Sequence, residues 1–331
     1  MAEKEWNVVR CDWQEYDKIV KDKGNFFNEP AFADLNKERV EEVLYLIIYR
    51  GESARFAVIV GKDGEQGKVP FSAPYSYPVS IKPDNKVEEY DEGLKCLERY
   101  LYDNGIRELY FTFPPLFYDE HVLTAWISAF YRTGYHVTKL DLSYSIDLKK
   151  LNVDEKEYGE LITQKGRKSL RKAMRNNLSV IRCETEEEYK EAYELVRIGH
   201  ESKGYGVSLP FDKLQETLKL VDHDAFIVRS GSHGIVGEFL YKINDSIVHA
   251  LYAGTHPDFL DAGGMNILTY HTIRYYGDLG YKIINKEASS TNSIPLYGLC
   301  NFKESVGCKR NLKFSFMKKI DFSASEMSSN E

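Results

Sequence analysis

Two hydrophobic periods alternate along the chain. In the first half, 43–49 and 54–60 are short apolar runs joined by Arg50-Gly51-Glu52-Ser53, which predicts a strand hairpin. Leu94, Leu97 and Leu101 share one face of a helix predicted over 88–104, with Asn104-Gly105 as its stop. The run 108–113 reads as a buried strand ending at Pro114-Pro115, 122–133 as a helix closed by Gly134, and 144–148 as a further strand. Between hairpin and helix, 61–83 is rich in Gly, Pro, Ser and Tyr and reads as an irregular connection.

Beyond residue 150 the theme returns. The pattern predicts a basic helix over 166–176, a strand at 180–183 and helices over 186–201 and 211–221. A meander of 225–229, 234–243 and 247–253 follows, then a loop holding Gly263-Gly264, a helix over 265–279 and a strand over 281–288. The expected class is α/β (α+β), with two tandem domains, 1–150 and 151–322, each a mixed central sheet flanked by helices. Residues 323–331 lack apolar periodicity and are expected to form a disordered tail. The strand–loop–helix order around Gly263 aims unpartnered backbone N–H groups from a helix start at one spot, and such a start favours anions. A phosphate-bearing acyl donor would suit it.

Composition narrows the classes. The chain has 331 residues, a length for which two domains is the natural expectation. A net charge of −7 argues against a general nucleic-acid binder, and no DNA partner is expected. The five cysteines are scattered without Cys-x-x-Cys spacing, and the 8 histidines include no His-Glu-x-x-His pair, so neither a disulfide framework nor a metal site is expected. No apolar stretch reaches membrane-span length, and the start Met-Ala-Glu-Lys-Glu-Trp lacks a signal-peptide core. A cytoplasmic protein is expected.

One dense positive run interrupts this picture: Lys165, Arg167, Lys168, Arg171, Lys172 and Arg175, with the three arginines at helical i, i+4 spacing. It suits phosphates, although a solvated face explains it as well. Ser230-Gly231-Ser232-His233-Gly234 lies between two strands and reads as a hairpin loop, because a serine nucleophile elbow needs strand-to-helix context.

Asn301-Phe302-Lys303-Glu304-Ser305-Val306-Gly307 resembles the Phe-Lys-x-x-Phe-Gly signature of the Fem family, aminoacyltransferases built from two domains of the acyl-CoA N-acyltransferase (GNAT) type. Phe71-Ser72-Ala73-Pro74-Tyr75 resembles a first-domain segment of that superfamily, 167–173 the helix opening its second domain, and Tyr252-Ala253-Gly254 the end of its splayed central strand. Val306 and Asn285-Lys286-Glu287 depart from the family pattern. The resemblance implies tandem GNAT-like domains and transfer of an acyl or aminoacyl group to an amine acceptor of the peptidoglycan-precursor type. The donor would be aminoacyl-tRNA, with a tRNA acceptor end as partner, or acyl-CoA; no resident cofactor is required.

Lys303 is the first catalytic candidate, standing four residues before Gly307 where the family places its lysine; a fixed cation stabilises a tetrahedral oxyanion. Glu287 and Tyr252 are candidates to handle the amine's proton, with Glu238 as a rival. Donor contacts are expected from Gly254, Gly263, Gly264, Met265 and Asn292, although Asp258 and Asp261 would repel a pyrophosphate there. Acceptor contacts are expected from Lys203, Phe302, Ser72, Tyr75 and Arg167. The alternatives are an acyl-CoA-dependent enzyme acting on an amino sugar, amino acid or peptide, and a non-catalytic binding module of the same fold.

Overall fold

The structure is a computed structural model describing residues 4–322. The chain divides into two compact units, one containing the residues up to Leu140 together with those from Leu312 onward, the other Asp141–Asn311. The expected tail at 323–331 lies outside the described residues.

The first unit begins with β1 (Trp6–Cys11), α1 (Trp13–Val20) and α2 (Pro30–Leu35), followed by β2 (Glu42–Arg50), β3 (Ser53–Asp63), β4 (Gln66–Val69) and β5 (Val79–Ser80). It continues through α3 (Val87–Asp103), β6 (Glu108–Thr112) and α4 (Glu120–Arg132) into β7 (His136–Asp147). The hairpin of β2 and β3 is antiparallel, and β4 pairs parallel with β6. The segment 61–83 therefore holds two short strands where its turn-rich composition predicts none. Leu94, Leu97 and Leu101 of α3 are fully buried with Trp126 and Phe130 of α4 against Leu46, Phe56 and Val58. That burial is what the helical spacing of the three leucines dictates.

The second unit adds α5 (Leu148–Leu151), α6 (Glu155–Leu161), α7 (Gln164–Arg175), β8 (Ser179–Arg182), α8 (Glu186–Glu201) and α9 (Phe211–Leu218). After β9 (His223–Ser230), β10 (His233–Asn244) and β11 (Ile247–Thr255) come α10 (Gly264–Asp278), β12 (Ile283–Ala288), the small hairpin β13 (Ser290–Thr291) and β14 (Ile294–Pro295), and α11 (Tyr297–Ser305). Its strand order is β7-β12-β11-β10-β9-β8. Leu268, Ile273 and Tyr276 of α10 meet Val236, Leu240, Val248 and Ile284 on one face of this sheet. Helix α8 lies on the other face, close to Gly237 and Gly254: a Cβ on Gly254 would fall 2.5 Å from the Val196 Cα. Only glycine allows that approach.

The last strand, β15 (Lys309–Lys319), returns to the first unit, where Phe316 faces Phe111 of β6 and is buried among its aromatics. The sequence reading puts the boundary near 150 and keeps 312–322 in the second half. The difference has a physical source: residues 136–140 of β7 are all exposed, so only the strand's buried end carries an apolar signature, and the four lysines of β15 mask its alternation.

Candidate active site

The parallel pairing of β11 with β12 runs from Ile247↔Ile283 to His249↔Asn285 and stops there, while β11 continues to Thr255. The two strands part at this point. On its other side β12 pairs with β7 as Asn285↔Ser145 and then Ala288↔Ser143, one residue out of step. That extra residue is a β-bulge, and Glu287 within it has φ of 60°, the left-handed region that non-glycine residues seldom occupy.

Asn285 holds Glu287 at both ends. The Glu287 backbone N–H donates to Asn285 Oδ1 at 2.9 Å, and Asn285 Nδ2 donates to Glu287 Oε1 at 3.2 Å. The same amide nitrogen lies 3.1 Å from His249 Nδ1, and that imidazole nitrogen is 3.6 Å from Glu287 Oε1. Asn285 and His249 are completely buried, whereas the Glu287 side chain is 23% exposed. A carboxylate is thus fixed, with solvent access, where the strands diverge.

Behind the bulge, Lys303 reaches in from α11. Its ammonium donates to the carbonyls of Lys286, Glu287 and Ala288 at 2.6, 2.9 and 3.1 Å and sits 5.5 Å from the centroid of the Tyr144 ring. Burial pushes this lysine down to about 8, opposed by the Cys308, Glu287 and Cys300 groups around it. The Tyr144 hydroxyl donates to Glu304 Oε1, which Arg310 also holds, so the side chain under the ammonium is itself anchored. On the same face Lys286 Nζ donates to Glu238 Oε1 at 2.6 Å. Burial pushes the Cys308 thiol up to about 12, which suits an inert core residue rather than a nucleophile.

The other expected residues are dispersed. The Tyr252 hydroxyl is 2.6 Å from Ser208 Oγ, and its ring packs edge-on to His200, whose Nε2 lies 3.2 Å from the Ala253 carbonyl. Gly254 is in β11 near the strand's end, against α8. Gly263, with φ of 85°, opens α10 but lies against α7: a Cβ there would be 2.6 Å from the Ser169 carbonyl oxygen. Gly264 and Met265 form the first turn of α10, and Asn292 caps the turn of the β13–β14 hairpin with φ of 48°. Lys203 is exposed just past α8, where Gly204 adopts a left-handed conformation that ends the helix. Phe302 packs on the second unit's core. Ser72, half-buried, donates to Asn36 Oδ1 at 2.8 Å, and Tyr75 is buried against Phe27 and Tyr118 in the first unit. Arg167 donates to the carbonyls of Gly159 and Ile162 at 2.9 and 3.0 Å, pinning α6 to α7.

Arg167 also lines a surface depression of about 880 Å³, together with Glu155, Gln164, Met174 and the exposed Lys165, Lys168, Arg171 and Arg175, and these last four make no ion pair among the described residues. His249 and Asn285 escape the sequence reading because a histidine and an asparagine on neighbouring strands carry no spacing signal; only the register brings them together. Among the described residues no group of His, Cys, Asp and Glu is arranged to hold a metal ion, and no helix is long and apolar enough to cross a membrane.

No protein-family model matches the chain, and no curated protein matches its sequence. Solved structures match its fold. FemX does so with a TM-score of 0.67 at 13% identity, over 95% of this chain and 97% of that one. The C-terminal domain of a putative lysylphosphatidylglycerol synthetase from Agrobacterium fabrum matches at 0.59 and 13%, over 96% and 94%. A tandem GNAT protein from the clavulanic acid biosynthesis pathway matches at 0.53 and 9%, over 96% and 100%. The chain has a Fem-like fold of the GNAT type, as the order of its motifs implies.

Proposed function

We propose that this chain is an N-acyltransferase in which Glu287 is the general base for an amine acceptor. The observation that carries the reading is the Glu287 carboxylate held by Asn285 where β11 and β12 diverge. The acceptor amine attacks the donor's ester or thioester carbonyl and a C–N bond forms. Glu287 takes the amine's proton, and the carrier leaves with its oxygen or sulfur as the tetrahedral intermediate collapses. No covalent enzyme intermediate is needed, which agrees with the burial of Cys300 and Cys308 beside the site.

The finer reading is Fem-like: aminoacyl-tRNA as donor, a peptidoglycan precursor as acceptor, and a cytoplasmic setting. The names of FemX and of the putative lysylphosphatidylglycerol synthetase support an aminoacyl donor, and the unpaired cations of α7 suit the phosphates of a tRNA end. Acyl-CoA is the second reading, favoured by the tandem GNAT neighbour. Against it stand the exposed carboxylates of Asp258 and Asp261 before α10 and the α7 backbone over Gly263.

The deciding experiment incubates the protein with a nucleotide-linked muropeptide and either radiolabelled alanyl-tRNA or radiolabelled acetyl-CoA. Labelled product from alanyl-tRNA supports the Fem-like reading, and product from acetyl-CoA alone replaces it with the second. If neither donor gives product although the muropeptide binds, the non-catalytic binding module takes its place.

A further inference from the structure

Three successive carbonyls, those of Lys286, Glu287 and Ala288, converge on one ammonium in the second unit, and the middle residue is the one with the left-handed backbone. In a regular strand, successive carbonyls point to opposite sides and cannot meet one donor. The bulge turns them together, and Lys303 supplies one N–H to each. All three of its protons are then engaged, at 2.6, 2.9 and 3.1 Å, with the Tyr144 ring near the same cation. A lysine in this state has no proton left for a tetrahedral oxyanion. What it does fix is the peptide geometry on both sides of Glu287, and hence the direction in which the carboxylate leaves the strand toward Asn285 and His249.

We propose that Lys303 is a positioning residue: it acts through the backbone of the bulge to hold the Glu287 carboxylate, and does not touch the reacting atoms. The inference rests on the reading of Glu287 as general base. It reassigns the cation that the motif resemblance gives to the transition state. Asn285 restrains Glu287 from the side-chain end and Lys303 from the main-chain end, so losing either loosens the same group.

The test compares crystal structures of the wild type and Lys303→Met, with the transfer kinetics of both and of Glu287→Gln. Methionine keeps the length and apolar contacts of the lysine stem but removes all three hydrogen bonds. In Lys303→Met, residue 287 is expected to leave the left-handed region and its carboxylate to leave hydrogen-bonding distance of Asn285 Nδ2. With radiolabelled alanyl-tRNA or acetyl-CoA as donor, whichever gives product, kcat is expected to fall about as far as in Glu287→Gln, on the order of a hundredfold or more, with KM little changed. The double variant should lose no more than either single one.

If Lys303→Met keeps the bulge and the carboxylate in place yet loses activity, Lys303 acts on the reacting atoms and the proposal is overturned. If no donor gives product, the acyl-transfer reading fails, while the crystal structures still decide whether Lys303 holds Glu287. Should Lys303→Met not fold, Lys303→Gln, a neutral side chain with two N–H donors, replaces it. Retention of both the bulge and most of the activity without a charge supports positioning; loss of activity with the bulge intact overturns it.

Discussion

Lys286 and Glu238 form an ion pair at 2.6 Å whose side chains are only 9% and 1% exposed. Both belong to the second unit's sheet, on β12 and β10, with β11 between them in the strand order. Such a pair repays its desolvation only while both members are present, because either alone is a buried, uncompensated charge. Lys286→Met is therefore expected to lower the unfolding free energy by about 3–5 kcal/mol in urea titrations. Adding Glu238→Met should recover much of that loss. Glu238→Gln should cost stability, and transfer only in proportion to the protein lost; a further loss of transfer would support Glu238 as the base.

The close approach of α8 to the sheet makes Gly254 a packing residue. With a Cβ placed 2.5 Å from the Val196 Cα, Gly254→Ala forces helix and strand apart. Overpacking of this kind costs about 1–3 kcal/mol. Thermal unfolding of the variant should show that loss. A donor affinity that falls while stability is unchanged would instead support Gly254 as a donor contact.

Arg167 and Arg171 are neighbours on α7 with different duties. Both line the depression, but Arg167 is half-buried and satisfies two carbonyls at the end of α6, whereas Arg171 is exposed and makes no ion pair among the described residues. Arg167→Ala is expected to destabilise by about 1–3 kcal/mol through the two carbonyls left without a donor, and Arg171→Ala by no more than about 0.5 kcal/mol. If the depression binds a phosphate-bearing carrier, Arg171→Ala weakens that binding and makes it less sensitive to salt. Fluorescence anisotropy with a labelled tRNA acceptor hairpin measures both.

The depressed Lys303 gives stability a definite pH dependence. The folded protein releases this proton near 8, from an ordinary value of 10.5 that the unfolded chain retains. Between those values the unfolded chain binds more protons than the folded one, so the lysine's contribution to stability rises with pH across this window and is lost as pH falls through about 8. The full shift corresponds to about 3 kcal/mol. The difference in unfolding free energy between wild type and Lys303→Met should therefore move in the wild type's favour from pH 7.5 to 10.5. A difference that stays flat would mean that the three carbonyls keep the amine protonated throughout.

Much of the fold is legible in the residues because burial and periodicity coincide there. The 186–201 helix predicted by pattern is α8 itself, and the 43–49 and 54–60 runs are the β2–β3 hairpin. What escaped is polar or local. Exposed residues 136–140 and the lysines of β15 hid strand ends, and turn formers hid β4 and β5. At the site, Lys303 and Glu287 were visible as chemistry, but not the bond between them. The bulge that joins them is a one-residue register shift, which leaves no trace in spacing. Ser72 and Tyr75 are expected as acceptor contacts on motif grounds, and in the structure each has partners within the first unit, Asn36 for Ser72 and Phe27 and Tyr118 for Tyr75, which no motif spacing reveals.

The measurement that bears most directly on the central claim is the pH–rate profile of acyl transfer to the amine acceptor for wild type and Glu287→Gln. If Glu287 is the base, the variant loses roughly a hundredfold or more in kcat at neutral pH, with KM little changed, and loses the acid limb of the profile. A variant that transfers at close to the wild-type rate with the same acid limb would contradict it.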